Sequence, residues 1–209
     1  MSRMTASTQF KRSPLAMVVL GILNLEPMHP YAIQRRIKEW GKDKVVNVAQ
    51  RAALYKTIGR LQEAGLVAVR ETGRDQQYPE RTVYEITDAG RTACTTWLSE
   101  MIATPRNEYP GFPAALSFLM LLDPDGARAE LARRATTLRE QLAEMDADAE
   151  QMTGMDLPRV VMLEDEYLRA VTEAELRWVE GVVGDLTAGT LTWSWDSLAP
   201  FVGESTATE

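Results

Sequence analysis

The chain has 209 residues, of which 45% are hydrophobic and 25% charged, a composition typical of a folded protein with one sizeable core or two small ones. Cys94 is the only cysteine, which excludes intramolecular disulfides and clusters of thiolate metal ligands. The longest apolar run, residues 15–25, is too short to span a bilayer and lacks the pattern of a secretory signal, so we expect a cytoplasmic protein without a membrane partner.

The net charge of −7 is divided unevenly along the chain. Residues 1–104 carry 15 Lys and Arg against 10 Asp and Glu, a balance of +5, whereas residues 105–209 carry 8 against 20, a balance of −12. A basic first half indicates binding close to phosphate groups, and an acidic second half indicates a different function. The alternative is that the asymmetry only aids solubility.

The first part of the chain predicts a flexible arm followed by two short helices. In the arm, residues 1–13, Lys11 and Arg12 could reach a phosphate backbone. A helix over residues 14–25 has a wide apolar surface, which predicts a buried helix with a structural role. The next helix, residues 31–40, would bury its isoleucines and present Gln34, Arg35 and Lys38.

The most informative stretch is residues 47–84, which predicts a helix followed by two strands. Leu54, Ile58 and Leu61 recur at helical spacing and face a core, and the helix stops at Gly65. Its outward positions are basic and aromatic: Arg51, Tyr55, Lys56, Arg60 and Gln62. Residues 66–71 and 81–87 alternate as strands around a turn at 73–75. A helix with a two-stranded wing suits entry into one DNA groove and contact with its neighbour.

Beyond the wing, Thr87 predicts the cap of a helix over residues 88–103 that carries Trp97, although Gly90 stands where a capping box has Glu or Gln. Residues 104–113 contain three prolines and a glycine and predict a domain boundary. A short helix is expected over residues 114–122.

Asp123 and Pro124 then begin a long helix to about residue 152. Its apolar residues alternate steps of four and three, which favours a helix pair or bundle: Leu131, Ala135, Leu138, Leu142, Met145, Ala149 and Met152. The last predicted helix, residues 160–186, has an apolar arc wide enough to touch both its own domain and a partner. The tail after Gly189 contains Trp193 and Trp195, and no regular element is predicted there.

The predicted fold is therefore mainly α with a small β-hairpin wing. A flexible arm (residues 1–13) precedes a winged helix-turn-helix DNA-binding domain (residues 14–104). A C-terminal α-helical dimerisation domain (residues 105–189), which by the family resemblance described below would also be the effector domain, and a tail (residues 190–209) complete the chain.

Five segments resemble the PadR family of transcriptional regulators: residues 29–33 (HPYAI), 53–55 (ALY), 60–66 (RLQEAGL), 83–90 (VYEITDAG) and 173–178 (EAELRW). The chain departs from the family pattern at Pro30, at residues 50–53 (QRAA) and at Lys56. The resemblance implies a homodimer held by the C-terminal helices, with two winged helices facing successive major grooves of an inverted-repeat operator. It also implies a repressor that releases DNA when a small molecule binds.

The residues expected to contact DNA are cationic or hydrogen-bonding side chains on three elements. The alternative for each is an ordinary solvated face. The third helix supplies the main set, which is Arg51, Tyr55, Lys56 and Arg60. The second helix adds Tyr31, Gln34 and Arg35 in support. The wing adds Arg74, Gln77 and Arg81.

Glu164 and Glu175 lie within the apolar arc of the last helix, where unpaired carboxylates are costly. The favoured interpretation is that each bonds to an arginine across the subunit interface. The alternative is an effector pocket for a planar or aromatic ligand between this helix and that of Trp97, lined also by Tyr167 and Trp178.

No enzymatic site is predicted. His29 is the only histidine and is expected in a surface turn, so a His-based triad or metal site has no partners. The sequence has no nucleophile elbow, phosphate-binding loop or dinucleotide fingerprint, and no metal or cofactor is expected. The competing functions are a protein-interaction adaptor on a winged-helix scaffold and an enzyme that relies on carboxylates such as Glu164 and Glu175.

Overall fold

The computed structural model of the protein describes residues 10, 12–48, 50–73, 81–155 and 157–202. The chain divides into two compact units, Met1–Asn107 and Glu108–Glu209, and the division falls inside the segment 104–113. The described residues form eight α-helices and one two-stranded antiparallel sheet, which confirms the predicted mainly α fold with a small wing.

Unit 1 contains the first four helices and the sheet. A 3₁₀ turn, Lys42–Lys44, separates the second helix from the third. The helices are α1 (Pro14–Leu25), α2 (Pro30–Glu39), α3 (Arg51–Glu63) and α4 (Asp88–Ala103). The observed bounds of α1 and α4 are those predicted from the sequence.

Capping side chains fix where the helices of unit 1 begin. The Ser13 hydroxyl accepts a hydrogen bond from the backbone N–H of Ala16 at 3.2 Å. His29 Nδ1 accepts the N–H of Ala32 at 2.9 Å, so the residue predicted as a surface turn caps α2. In both helices a proline follows the cap, where its missing N–H costs nothing.

A single apolar core holds unit 1 together. The buried residues of α3 are those that the helical spacing predicts, Leu54, Ile58 and Leu61. They pack with residues of the other helices and strands, including Leu20, Leu23, Ile33, Ile37, Val67 and Ile86. Cys94 lies in the same core, and its burial raises the pKa of its thiol.

The wing consists of β1 (Val67–Gly73) and β2 (Arg81–Ile86), paired antiparallel with an irregularity between Val69 and Glu71. The predicted turn residues 74 and 75 lie outside the described residues. Met28 and Tyr84 exchange two backbone hydrogen bonds of 3.0 and 2.9 Å. The strands of the wing are thereby attached to the segment that leads into α2.

Gly90 marks the closest approach between α4 and the turn after α3. A Cβ atom at this position would lie 2.0 Å from the Leu66 carbonyl oxygen and 2.7 Å from Ile86 Cγ1. The same Leu66 oxygen accepts the N–H of Thr87 at 3.1 Å, and the Thr87 hydroxyl donates to the Gly65 carbonyl at 2.7 Å. Glycine therefore stands at this position because no side chain fits, which explains the missing capping-box residue.

Unit 2 contains the last four helices. They are α5 (Gly111–Leu116), α6 (Pro124–Thr153), α7 (Leu163–Ala188) and α8 (Trp195–Val202). Three predictions need correction. The helix predicted over residues 114–122 is α5 followed by a 3₁₀ turn at Leu119–Leu121. The helix predicted from residue 160 begins at Leu163 after another 3₁₀ turn, and the tail contains α8.

Helices α6 and α7 pack along each other as the main body of unit 2. The first half of the α6 seam is buried against Val179 and Leu186 of α7, whereas Leu142 and Met145 further along are only half-buried. Arg169 bonds to Asp146 at 2.6 Å and, chiefly through this hydrogen bond, lowers the pKa of that carboxyl. The narrow seam thus forms the predicted helix pair for part of its length and leaves the remainder accessible.

The tail returns to the start of the unit. The Trp193 indole N–H donates to the Leu122 carbonyl at 2.9 Å, and the ring packs against the core of unit 2. This contact gives Trp193 a structural role in packing the tail onto the core of unit 2. Over the described part of the chain, none of the helices is both long enough and apolar enough to cross a membrane.

Candidate nucleic-acid interface

The outer face of α3 carries the four residues predicted as the main DNA contacts. Arg51, Tyr55, Lys56 and Arg60 are all exposed, with Tyr55 at 53%. Because the opposite face of the helix is fully buried, the helix axis is fixed and these side chains project from a rigid element. The sequence therefore predicted the exposure of this face correctly.

The angular spread of these side chains suits a helix that lies inside a groove. Arg51 and Arg60 are nine residues apart, which places them about 180° apart round the helix, with Lys56 between them. A flat surface could not touch both arginines at once. The major groove is about 12 Å wide and has a phosphate wall on each side, so a helix within it can reach both walls.

The first turn of α3 meets the first turn of α2 at a cluster of aromatic and cationic side chains. The Arg51 guanidinium carbon lies 5.9 Å from the centre of the Tyr31 ring, and Tyr31 is itself exposed. The His29 ring stacks beside Tyr31 at 6.2 Å. These contacts bring together Tyr31 and Arg51, two of the residues predicted to contact DNA.

Arg60 borders the N-terminal segment. Its guanidinium carbon lies 5.0 Å from the centre of the Phe10 ring, which stacks on Trp97 at 5.4 Å. Arg12 forms an ion pair with Glu100 and is largely buried, so its predicted reach to phosphate is wrong in this conformation. This end of the predicted flexible arm packs on α4, whereas Lys11 lies outside the described residues.

Gln34 corrects a prediction. It was expected to face outward from α2 but is 9% exposed, and its side-chain amide donates to the Val48 carbonyl at 3.1 Å. The bond ties α2 to the segment that leads into α3. Gln34 therefore positions the segment that leads into α3, and its side chain is too buried to contact DNA.

Replacing Gln34 with alanine is expected to lower the free energy of unfolding by roughly 1–3 kcal/mol, because the Val48 carbonyl loses its buried donor. Urea unfolding followed by circular dichroism measures the change. Arg35→Ala is the matched control, since Arg35 neighbours Gln34 on α2 but is exposed. Equal stabilities of the two variants would contradict the positioning role.

The structure describes only some of the other residues that were predicted to contact DNA. Arg35 is exposed and pairs with Glu39 at 3.2 Å on the same helix, a weak surface interaction that phosphate can replace. Arg81 begins β2, where its backbone pairs with that of Gly73. Arg74 and Gln77 lie outside the described residues.

The predicted effector residues do not form one cluster within either unit. Trp97 belongs to unit 1, where it packs with Phe10, whereas Glu164, Tyr167, Glu175 and Trp178 belong to unit 2. Tyr167 is 67% exposed, and Trp178 meets Phe112 edge-on at 6.0 Å.

Glu175 has its partner inside the chain. Arg134 Nε donates to Glu175 Oε1 at 2.6 Å, so the expected bond to an arginine across a subunit interface is wrong for this residue. Across the described ranges, no group of three or more His, Cys, Asp or Glu side chains could hold a metal ion.

Comparison with known proteins agrees with the geometry of unit 1. Residues 19–96 match the family described as the transcriptional regulator PadR-like family, which confirms the predicted resemblance. None of the curated proteins compared with the sequence matches it.

Solved structures with similar folds include the following three. The Bacillus subtilis PadR complex with operator DNA superposes with a TM-score of 0.68 at 18% identity, covering 82% of this chain and 98% of that chain. The same protein with p-coumaric acid gives 0.68 at 17% identity, with coverages of 84% and 99%. The Vibrio cholerae virulence activator AphA gives 0.63 at 23% identity, with coverages of 83% and 98%. The likeness extends over both units and establishes a shared fold.

Proposed function

Residues 19–96 match the PadR-like family of transcriptional regulators, and from this premise we propose that the chain is a homodimeric repressor of an inverted-repeat operator. The family consists of transcription regulators and not of enzymes. The observation that carries the proposal is the exposed face of α3, with Arg51, Tyr55 and Lys56 on a helix anchored beside a two-stranded wing. Its site of action would be the cytoplasm, where DNA is accessible.

In the proposed complex, α3 enters the major groove and its cations contact phosphates on both walls. Arg51, in the first turn, is the residue placed to reach a guanine edge. Tyr31 and Arg35 from α2 contact the adjoining backbone, and the wing residues Arg74, Gln77 and Arg81 follow the neighbouring groove. The Bacillus subtilis protein of similar fold was solved in complex with operator DNA, which supports DNA binding by a chain of this fold.

A dimer is proposed because α7 presents apolar side chains on two faces. One face is buried against α6, whereas large apolar residues elsewhere on the helix remain exposed, namely Tyr167, Val171 and Trp178. Exposed apolar surface of this kind is typical of subunit interfaces. A second copy packed on this face would present two α3 helices to successive grooves of an inverted repeat.

Relief of repression by a small molecule is the remaining part of the proposal. The solved relative that contains p-coumaric acid supports the existence of such an effector. A ligand releases the operator only if it binds the DNA-free conformation more tightly than the DNA-bound one. The expected result is therefore weaker operator binding at saturating ligand.

The decisive experiment uses DNA from immediately upstream of the gene for this chain. Fluorescence anisotropy is expected to give specific binding, with unrelated duplex of the same length as the control. Light scattering is expected to give the mass of two chains. If the purified protein ignores the upstream DNA at low ionic strength, the repressor proposal is wrong and the adaptor function gains support.

A further inference from the structure

A pocket of about 400 Å³ lies within unit 2, between α6 and the segment formed by α5 and the turn after it. Its apolar walls include Phe112, Leu116, Leu119 and Leu131, all of which belong to or pack against the core of the unit. The volume falls in the range of small-molecule sites, about 300–1,000 Å³. An apolar group entering this pocket would therefore extend the hydrophobic core.

The charged groups that line the pocket are mainly cationic. They are Arg133, Arg134 and Glu130, which together carry a charge of +1. Glu130 pairs with Arg133 one helical turn away, and Arg133 is well exposed. Such surface pairs contribute no more than about 1 kcal/mol, so a ligand carboxylate can replace Glu130 at low cost.

Arg134 is held in a fixed position beside the pocket. Its Nε donates to Glu175 Oε1 at 2.6 Å, and its NH2 group contacts the same oxygen. Its guanidinium carbon lies 3.6 Å from the centre of the Phe112 ring. A guanidinium has five N–H donors, and both contacts to Glu175 go to one oxygen, so donors remain for a second carboxylate.

We propose that this pocket binds a small apolar carboxylic acid, with its hydrocarbon part between Phe112 and Leu131 and its carboxylate on Arg134. Glu175 then positions Arg134, and Trp178, whose ring meets Phe112 edge-on, supports the aromatic wall. Both residues belong to the predicted effector set, but neither lines the cavity. The consequence for gene control rests on the proposed function, since this pocket would be the site of the effector.

Isothermal titration calorimetry of the full chain with 4-phenylbutyrate tests the proposal, and uncharged 4-phenylbutyramide is the matched ligand. The acid is expected to bind with a Kd below about 1 mM, and the amide at least about tenfold more weakly, because it lacks the charge-assisted bonds to Arg134. Absence of heat with the acid, or equal affinity for both compounds, would overturn the proposal.

Substitutions at two neighbouring residues of α5 distinguish binding of the acid in the pocket from binding elsewhere on the surface. Ala115 lines the pocket and Ala114 does not, although both residues are exposed. Ala115→Phe is expected to fill the cavity and weaken binding of 4-phenylbutyrate at least tenfold, whereas Ala114→Phe leaves the affinity unchanged. Equal affinities of the two variants would show that the acid binds elsewhere.

Arg134→Lys tests the role of the guanidinium. Lysine keeps the positive charge opposite Glu175 but lacks the planar pair of donors, so binding of the acid is expected to fall while the melting temperature changes little. Unchanged affinity in this variant would contradict the assignment of the carboxylate to Arg134.

The experiments distinguish an error in the pocket inference from an error in the proposed function. Operator affinity is measured by anisotropy with and without 4-phenylbutyrate. If the acid binds in the Ala115-dependent manner but operator affinity is unchanged, the pocket is supported and relief of repression is wrong. If the operator is bound but no acid binds, the pocket inference is wrong and the DNA-binding proposal stands.

Discussion

Replacing Gly90 with alanine is expected to lower the free energy of unfolding of unit 1 by about 3 kcal/mol. The added Cβ would lie 2.0 Å from the Leu66 carbonyl oxygen, a backbone atom that also accepts the N–H of Thr87. Relief of the overlap must separate α4 from the turn after α3 and break that hydrogen bond. Urea unfolding followed by circular dichroism measures the loss.

Gly21→Ala is the matched control, because Gly21 lies in α1 of the same unit and its added Cβ would meet nothing within 4 Å. At an unobstructed helical position, alanine is expected to stabilise the protein by roughly 0.5–1 kcal/mol. The same chemical change should therefore have opposite signs at the two positions. If the Gly90→Ala protein were as stable as the parent, the close contact between residue 90 and the Leu66 carbonyl oxygen would not require glycine.

Lys56→Ala is expected to weaken operator binding and to flatten its dependence on salt. Each phosphate contact that is lost reduces the slope of log K against log salt concentration by roughly 0.9, so a dimer that loses two copies should change by roughly 1.8. Lys56 suits this test because it lies on the exposed face of α3, opposite the core. Anisotropy titrations at several salt concentrations provide the slope.

Two controls define the result for Lys56. Arg128→Ala removes an exposed cation from unit 2 and is expected to leave the slope unchanged. Lys56→Arg keeps the charge and should restore the parental slope. A change of about 0.9 in place of 1.8 would indicate one contact per complex, and no change would remove Lys56 from the interface.

Arg60 is a less direct probe of DNA contact than Lys56. Its guanidinium lies over Phe10, which stacks on Trp97, so Arg60→Ala would also remove packing of the N-terminal segment onto unit 1. A loss of DNA binding in that variant would combine two causes. Comparing its salt slope with its unfolding free energy separates them, because packing alone does not alter the number of counterions released.

The sequence by itself determined the long helices, the caps at Thr87 and Asp123 and the buried face of α3. Local patterns contain this information: Thr87 and Asp123 each cap a helix within three residues, and the spacing of Leu54 and Ile58 defines an apolar face. The wing and the exposed cations followed from the same patterns. The errors at α5 and α8 concern short helices, for which periodicity spans too few turns to be read.

Only the tertiary structure decided which polar side chains are exposed and which form hydrogen bonds between distant segments of the chain. Gln34 bonds to Val48, Arg134 to Glu175, and Trp193 to Leu122, pairs that are 14, 41 and 71 residues apart. Helical periodicity gives the direction of a side chain but not the segment that packs against it. The cost of a buried polar group is met by whichever partner the fold brings within hydrogen-bond distance, and that partner follows only from packing.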